Sequence, residues 1–289
     1  MSTFSRRDFF ATSAALAAAS QLSPAWAKPG DDIAFGLVTY LWGRDWDLPT
    51  LIKNCEASGV LGVELRTTHA HKVEPSLNAK QRAEVAKRFA DSSVTMVGIG
   101  SNERYDNPDP AVLKKAMEAT KAFVRLSHDV GGSGVKVKPD RFHPNVPKEK
   151  TIEQIGKALK ELGEYSLGFG QQIRLEVHGQ CAELPTIAAI MKAADHPNVA
   201  VCWNSNAQDL QGEGLEHNFH LVRKRFGDTV HVRELQDKNY PYQKLMELLV
   251  KTNYRGWVLL EARGNPKDRV AALKEQLAIF RKMVAQAQN

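Results

Sequence analysis

Eight short apolar runs, each followed by an amphipathic helical stretch, predict an α/β chain folded as a single (β/α)8 TIM barrel. Three observations carry this prediction. Strand-like and helix-like segments alternate throughout, which calls for parallel strands joined by crossover helices. Neighbouring strands start about thirty residues apart, and no linker or low-complexity break interrupts the series. The 289 residues hold a leader and one barrel, and a barrel of this kind takes about 250 residues. An open doubly wound sheet is the alternative, but no GxGxxG follows the first strand.

The elements read in order as follows. Ile33 to Tyr40 is the first strand, with a helix from Leu48 to Ser58 that stops at Gly59. Gly62 to Thr68 and Val94 to Gly100 are the second and third strands, separated by a charged amphipathic helix from Asn78 to Ser92. A helix from Ala111 to Val130 ends at Gly131-Gly132, and Gly134 to Lys138 is the fourth strand. A helix from Lys150 to Gly168 leads to the fifth strand, Ile173 to His178, and another from Pro185 to Asp195 to the sixth, Val199 to Asn204. Leu215 to Phe226 is helical, Thr229 to Leu235 the seventh strand, Tyr242 to Thr252 helical and Trp257 to Ala262 the eighth strand. Lys267 to Gln286 closes the chain as a helix.

The N-terminus reads as an export signal over residues 1–27, ahead of a barrel domain over 28–289. Ser5-Arg6-Arg7-Asp8-Phe9-Phe10 carries a twin arginine, Ala11 to Leu22 is apolar, and Ala25-Trp26-Ala27 is a small-residue cleavage site. These parts in this order predict Tat export of a folded protein to the periplasm or beyond; a mildly apolar N-terminal helix is the alternative. The apolar run is too short and too rich in Ala and Ser to span a bilayer, so no membrane association is expected after cleavage. The formal charge is +6, but the basic residues are spread along helices as solvated faces and form no nucleic-acid stripe. Cys55, Cys181 and Cys202 are odd in number and lack metal-type spacing, so they read as buried structural residues.

The chemistry concentrates at the ends of strands. In Arg174-Leu175-Glu176-Val177-His178-Gly179, apolar Leu175 and Val177 alternate with charged Arg174, Glu176 and His178, and period two sends the two sets to opposite faces. Both faces of a helix-covered sheet are buried, so the inward charges must pair, bind an ion or line a pocket. The same phase places Glu64 and Arg66 on the second strand, with His69 and His71 beyond it, and Asn102 after the third. It also places Lys136 and Lys138 on the fourth strand, Asn204 on the sixth, His231 and Arg233 on the seventh, and Glu261 and Arg263 on the eighth. Two carboxylates, a histidine and an amide oxygen from four successive strands suit Mn²⁺, Co²⁺ or Zn²⁺ and tolerate Mg²⁺. An internal ion-pair network is the alternative for Glu64, Glu176 and Glu261 against the lysines and arginines. Trp42, Tyr40 and Trp203 stand near strand ends, where they stack on a sugar ring or pack the barrel.

Three stretches resemble the xylose isomerase-like TIM barrels, the sugar phosphate isomerase/epimerase superfamily. Leu175-Glu176-Val177-His178-Gly179 is similar to that family's strand-five Glu-x-His-Gly. Val230-His231-Val232-Arg233-Glu234 is similar to its strand-seven His-x-Lys-Asp, and Gly256-Trp257-Val258-Leu259-Leu260-Glu261 to its strand-eight Gly-Trp…Glu. The resemblance runs from Ile33 to the last helix. It implies one divalent metal ion held by Glu176, His231 and Glu261, with Asn204 standing where the family usually has Asp.

The resemblance further implies an isomerase or epimerase that removes a proton next to a sugar carbonyl through an enediolate. Glu176 and Glu261 are then the candidate bases, with Lys136 and His178 as further catalytic groups. Trp42, Arg66, His69, His71, Lys138, Arg233 and Arg263 are the candidate substrate-binding residues. An export signal favours a non-phosphorylated or keto sugar. A 3-keto-glycoside lyase working by β-elimination on the same site and a non-catalytic sugar-binding barrel remain alternatives. An endonuclease IV-like DNA repair enzyme shares the fold, but export and the missing basic groove argue against it, and no nucleic-acid partner is expected. The resemblance also allows a homo-oligomer.

Overall fold

The computed structural model describes residues 28–289, and the export leader expected over residues 1–27 lies outside them. Strands and helices alternate as β1 (Ile33–Val38), α1 (Leu48–Ser58), β2 (Gly62–Arg66), α2 (Ala79–Ala90), β3 (Thr95–Arg104) and α3 (Pro110–Asp129). Then come β4 (Gly134–Lys138), α4 (Lys148–Leu167), β5 (Gln172–Glu176), α5 (Leu184–Ala194) and β6 (Val199–Asn204). The chain ends with α6 (Gly214–Val222), β7 (Phe226–Val232), α7 (Tyr242–Lys251), β8 (Gly256–Leu260) and α8 (Arg269–Ala287). The strands pair in sequence order, all parallel, and β1 closes the ring against β8 from Ile33↔Gly256 to Leu37↔Leu260. This is a single (β/α)8 TIM barrel.

Local chemistry starts the helices where the sequence places them. Asp47 accepts from Thr50 N at 2.9 Å ahead of α1, and Asn78 and Gln81 form a capping box at α2. Asp109 and Asp268 cap α3 and α8 in the same way.

Period-two alternation divides the strand side chains between two environments. Leu37, Leu65, Val137, Leu175, Val232 and Leu260 are fully buried in one continuous apolar core shared with the helices. Removing that surface from water is the main favourable term in folding. A second, small apolar cluster of Val38, Val97 and Leu259 has Tyr40 and Trp257 packed against it. The inward phase is otherwise polar: Glu64, Lys136, Arg174 and His231 are all inaccessible to solvent. Charge therefore occupies space that barrels of this kind ordinarily fill with branched aliphatics.

Arg174 forms the lower layer of this charged interior. Its guanidinium donates to Gln172 Oε1 at 3.1 Å, Val97 O at 3.4 Å, Ser133 Oγ at 2.5 Å and Asp228 Oδ2 at 2.8 Å. Two glycines make room for it: a Cβ at Gly134 would meet Arg174 Cζ at 2.9 Å, and one at Gly98 would meet Nη1 at 3.0 Å.

The strands end a few residues short of the expected bounds in several places, and the two largest departures are at the end of α6 and the end of β3. The helix expected to reach Phe226 stops at Val222, Arg223–Arg225 form a 3-10 turn, and Phe226 opens β7 opposite Val201. Arg223 turns back to stack over Phe226 and Tyr254 and to donate to Thr252, which ends the helix early. β3 runs on to Arg104, which pairs with Lys138 across the ladder. The three cysteines are free and buried. Among the described residues, no helix is long and apolar enough to cross a membrane.

Candidate active site

Glu176 ends β5, Asn204 ends β6, His231 is the penultimate residue of β7, and Glu261 follows β8 directly. The ladder holds Glu261 in place, because its N–H donates to Val232 O at 2.7 Å. One ligand atom from each of Glu176, His231 and Glu261 lies within 4.8 Å of the others, and all three residues are buried.

Hydrogen bonds orient this group. Lys136 Nζ donates to Glu176 Oε2 at 2.7 Å, and Asn204 Nδ2 donates to Glu176 Oε1 at 2.9 Å. An ionised carboxylate only accepts, so the nitrogen of Asn204 must face Glu176 and Oδ1 is left over. Asn204 stands where the resemblance leads one to expect Asp, and its N–H satisfies Glu176 Oε1 directly. His231 lies between two carboxylates, Nε2 at 3.3 Å from Glu64 Oε1 and Nδ1 at 3.8 Å from Glu176 Oε1.

The electrostatics follow from these contacts. Burial alone would raise the Glu176 carboxyl, but Lys136 and His231 outweigh it and hold it well below the usual range. Burial would likewise discharge Lys136, yet Glu176 and Glu64 raise it above an ordinary lysine. Glu64 is also lowered, its burial outweighed by His231. His231 is held well above its ordinary value, because Cys202, Glu64 and Glu176 outweigh its burial.

The buried atoms left without a hydrogen-bond partner include both Glu64 oxygens, Asn204 Oδ1 and both His231 nitrogens. Native interiors rarely leave such atoms unsatisfied. An imidazole and an amide oxygen left free beside the Glu176 and Glu261 carboxylates fit a divalent cation.

The remaining candidates fall into two groups. Buried Lys138 and half-buried Arg66 stand against the donor set. Arg66 Nη1 lies 3.7 Å from Glu261 Oε1, Nη2 donates to Asn102 Oδ1 at 2.9 Å, and the guanidinium sits 5.1 Å over the Tyr40 ring. Lys138 is 5% exposed, and burial with the nearby Lys136 charge pushes its amine down to about 8.

The others stand around the rim. His178 is half-buried, and its Nδ1 is 2.9 Å from Asp140 Oδ1, which places it beside the site but outside the donor set. His69 Nδ1 is 3.3 Å from Thr39 Oγ1, and burial and Arg66 lower its basicity. In His71 the Nδ1 accepts from Val73 N at 3.0 Å and the Nε2 meets Arg66 O at 2.8 Å, so both nitrogens are spent on the backbone. Burial pushes His71 down to about 4. The Trp42 indole donates to Gly264 O at 2.8 Å, and Trp42 and Arg263 border a cleft of about 600 Å³ between the β1 and β8 loops. Arg233 follows β7, and its Nε is buried without a partner. Trp203 has no exposure and packs edge-on against Phe219 at 5.8 Å, so it serves the core rather than a ligand.

Three residues of this region escape sequence reasoning as site residues. Glu64 was legible as an inward carboxylate, but only the fold brings it against His231. Asp140, in the left-handed region at φ +66°, ties His178 to Arg104 Nε at 2.8 Å. Asp209, beyond β6, accepts from Tyr240 OH at 2.7 Å, and burial pushes its carboxyl up to about 7.

Solved structures share this architecture. L-ribulose 3-epimerase superposes with TM-score 0.75 at 16% identity, over 88% of this chain and 95% of that one. The 3-keto-D-glucoside 4-epimerase of E. coli gives TM-score 0.73 at 15% identity, over 87% of this chain and 99% of that one. The IolI protein with a bound zinc atom gives 0.71 at 15% identity, over 88% and 98%. By sequence, no protein of curated function matches the chain. The sequence model of the xylose isomerase-like TIM barrels, however, matches residues 52–283, which span β2 to β8 and with them every donor strand. The chain belongs to the xylose isomerase-like TIM-barrel family.

Proposed function

We propose that this chain is an exported, metal-dependent sugar isomerase or epimerase that moves a proton next to the carbonyl of a non-phosphorylated keto sugar. The observation that carries the reading is the buried set Glu176, His231 and Glu261, with donor atoms within 4.8 Å of one another at the C-terminal rim of a closed barrel. Solved sugar epimerases of the same fold support the substrate class. These three residues, with Oδ1 of Asn204, would hold one divalent ion, Mn²⁺, Co²⁺, Zn²⁺ or Mg²⁺. Such an ion, when bound, supplies Lewis-acid stabilisation of negative charge on the substrate.

The chain's own side chains divide the remaining work. Both oxygens of Glu176 are engaged, by Lys136 and Asn204, and its carboxyl is held well below the usual range, so it is a poor base. Glu261 has Arg66 at 3.7 Å, beyond hydrogen-bond distance, and takes the proton. Lys138, an amine pushed down to about 8 by burial and by Lys136, gives a proton of its own to the carbanion, and both groups then re-equilibrate with solvent. Arg66 faces the same space and stabilises negative charge on a substrate oxygen. The twin-arginine leader over residues 1–27 delivers the folded protein to the periplasm.

A second reading keeps the site and changes the outcome. With a leaving group beside the new carbanion, the same proton removal gives β-elimination and makes the chain a 3-keto-glycoside lyase. The cleft of about 600 Å³ beside Trp42 and Arg263 has room for an aglycone.

Metal content by mass spectrometry, beside a Glu261→Ala variant, tests the reading. Near-stoichiometric metal that falls sharply in the variant, with metal-dependent deuterium uptake from D₂O by a keto sugar, supports it. Sugar binding without exchange makes the chain a binding barrel. Aglycone release selects the lyase.

A further inference from the structure

Across the barrel from the donor set lies a buried carboxylate that the proposed reaction leaves idle. We propose that Glu64 is the positioning residue for His231, holding the imidazole through Nε2 so that Nδ1 is presented to the metal. This rests on the metal reading of the same site.

The ring's two ends face different partners. His231 Nε2 is 3.3 Å from Glu64 Oε1, whereas Nδ1 points toward the donor side, 3.8 Å from Glu176 Oε1. Glu64 is not in the donor set with Glu176, His231 and Glu261, so its place is behind the histidine rather than around the ion. It has no solvent exposure, and its 3.3 Å approach to His231 Nε2 is a charge contact rather than an aligned hydrogen bond. A buried carboxylate with no task is strongly unfavourable. The cations nearby are committed elsewhere, Lys136 to Glu176 at 2.7 Å and Arg174 to Asp228 at 2.8 Å. That leaves His231 as the group Glu64 serves. The site also keeps space for Glu64: a Cβ on Gly100 would sit 2.8 Å from its Oε1.

The chemistry gives the arrangement its purpose. An imidazole that binds a metal has given up one ring proton and keeps one N–H, and which nitrogen carries it is set by what the other contacts. An acceptor behind Nε2 places the proton there, leaves the lone pair on Nδ1, and raises its basicity as a ligand. Without it the ring is free to present either nitrogen, and the ligand is oriented in only part of the population.

Two substitutions separate this role from packing. Glu64→Gln keeps the size and an acceptor oxygen, whereas Glu64→Leu keeps the bulk and removes the acceptor. Calorimetric titration of the metal-free proteins with Zn²⁺ should show Glu64→Leu weakened about 10- to 100-fold and Glu64→Gln weakened less. Thermal melting of the metal-free variants reports on folding, and if the leucine variant does not fold, the NMR of the wild type decides. In it, ¹⁵N-histidine spectra of protein loaded with ¹¹³Cd²⁺ should show cadmium coupling at Nδ1 of His231 and a proton on Nε2. Coupling at Nε2, or wild-type affinity in a folded Glu64→Leu variant, overturns the role of Glu64 and leaves the metal site standing. Wild-type protein that takes up neither Zn²⁺ nor Cd²⁺ overturns the metal reading itself.

Discussion

Lys136 Nζ lies 2.7 Å from Glu176 Oε2, and the two side chains are 0% and 1% exposed. Burial opposes both charges, yet each partner holds the other ionised, so the pair is stable only while intact. Lys136→Met strands a buried carboxylate and should destabilise the metal-free protein by about 3–5 kcal/mol, measured by urea denaturation. The pH dependence has a definite sign. The contribution of Glu176, whose folded value is depressed, is complete above its ordinary 4.5 and is lost as pH falls through the depressed value. That of Lys136, whose folded value is raised, is complete below its ordinary 10.5 and is lost as pH climbs through the raised value. The difference in stability between wild type and Lys136→Met should therefore stay level across neutral pH and shrink at both extremes.

Asn204→Asp removes the N–H that Glu176 Oε1 accepts and sets a second carboxylate beside the first. The metal-free variant should lose about 1–3 kcal/mol, the cost of an unsatisfied buried polar group. Added Mn²⁺ or Zn²⁺ should then raise its melting temperature by more than it raises that of the wild type, because the extra charge favours a cation. Paired thermal melts with and without metal check both halves.

Lys138→Met replaces an inward amine that has no ion pair or hydrogen bond among the described residues. Its folded value of about 8 is below the ordinary 10.5, so the charged form is disfavoured in the folded state and the penalty is complete below pH 8. The variant should be more stable at neutral pH by about 1 kcal/mol after solvent screening. The gain should fade as pH rises from about 8 toward 10.5. Loss of proton exchange into substrate, with metal content unchanged, would mark Lys138 as a proton carrier.

Gly134→Ala pushes a methyl to 2.6 Å from Gln172 O and 2.9 Å from Arg174 Cζ. Overpacking of this kind costs about 1–3 kcal/mol. Pairing it with Arg174→Met should recover part of the loss, since the smaller head group yields space. Denaturation of the two singles and the double measures the coupling.

Residues whose environment is set by strand phase were legible in the sequence. Glu176, His231 and Glu261 alternate with Val177, Val232 and Leu260, and a strand has only two faces, so the phase alone turned them inward. Where helical spacing ran into a strand, the reading overshot: Phe219, Val222 and Phe226 keep a helical period, but Phe226 belongs to β7. Loop residues carry no period at all. Nothing in His71 announces that Arg66 O and Val73 N take both its nitrogens. Asp140 meets His178 across 38 residues of chain, a distance that only the closed barrel collapses.

The pairing of β1 with β8 also sets the order in which the site can exist. Glu176, Asn204, His231 and Glu261 come from β5 to β8, consecutive strands that can adjoin in an open sheet, but Glu64 lies on β2 and reaches His231 only once β1 seals the ring against β8. A partly folded chain therefore offers donors with no carboxylate behind the histidine, and the full arrangement is available only to the finished barrel. Tight metal retention should accordingly report completed folding.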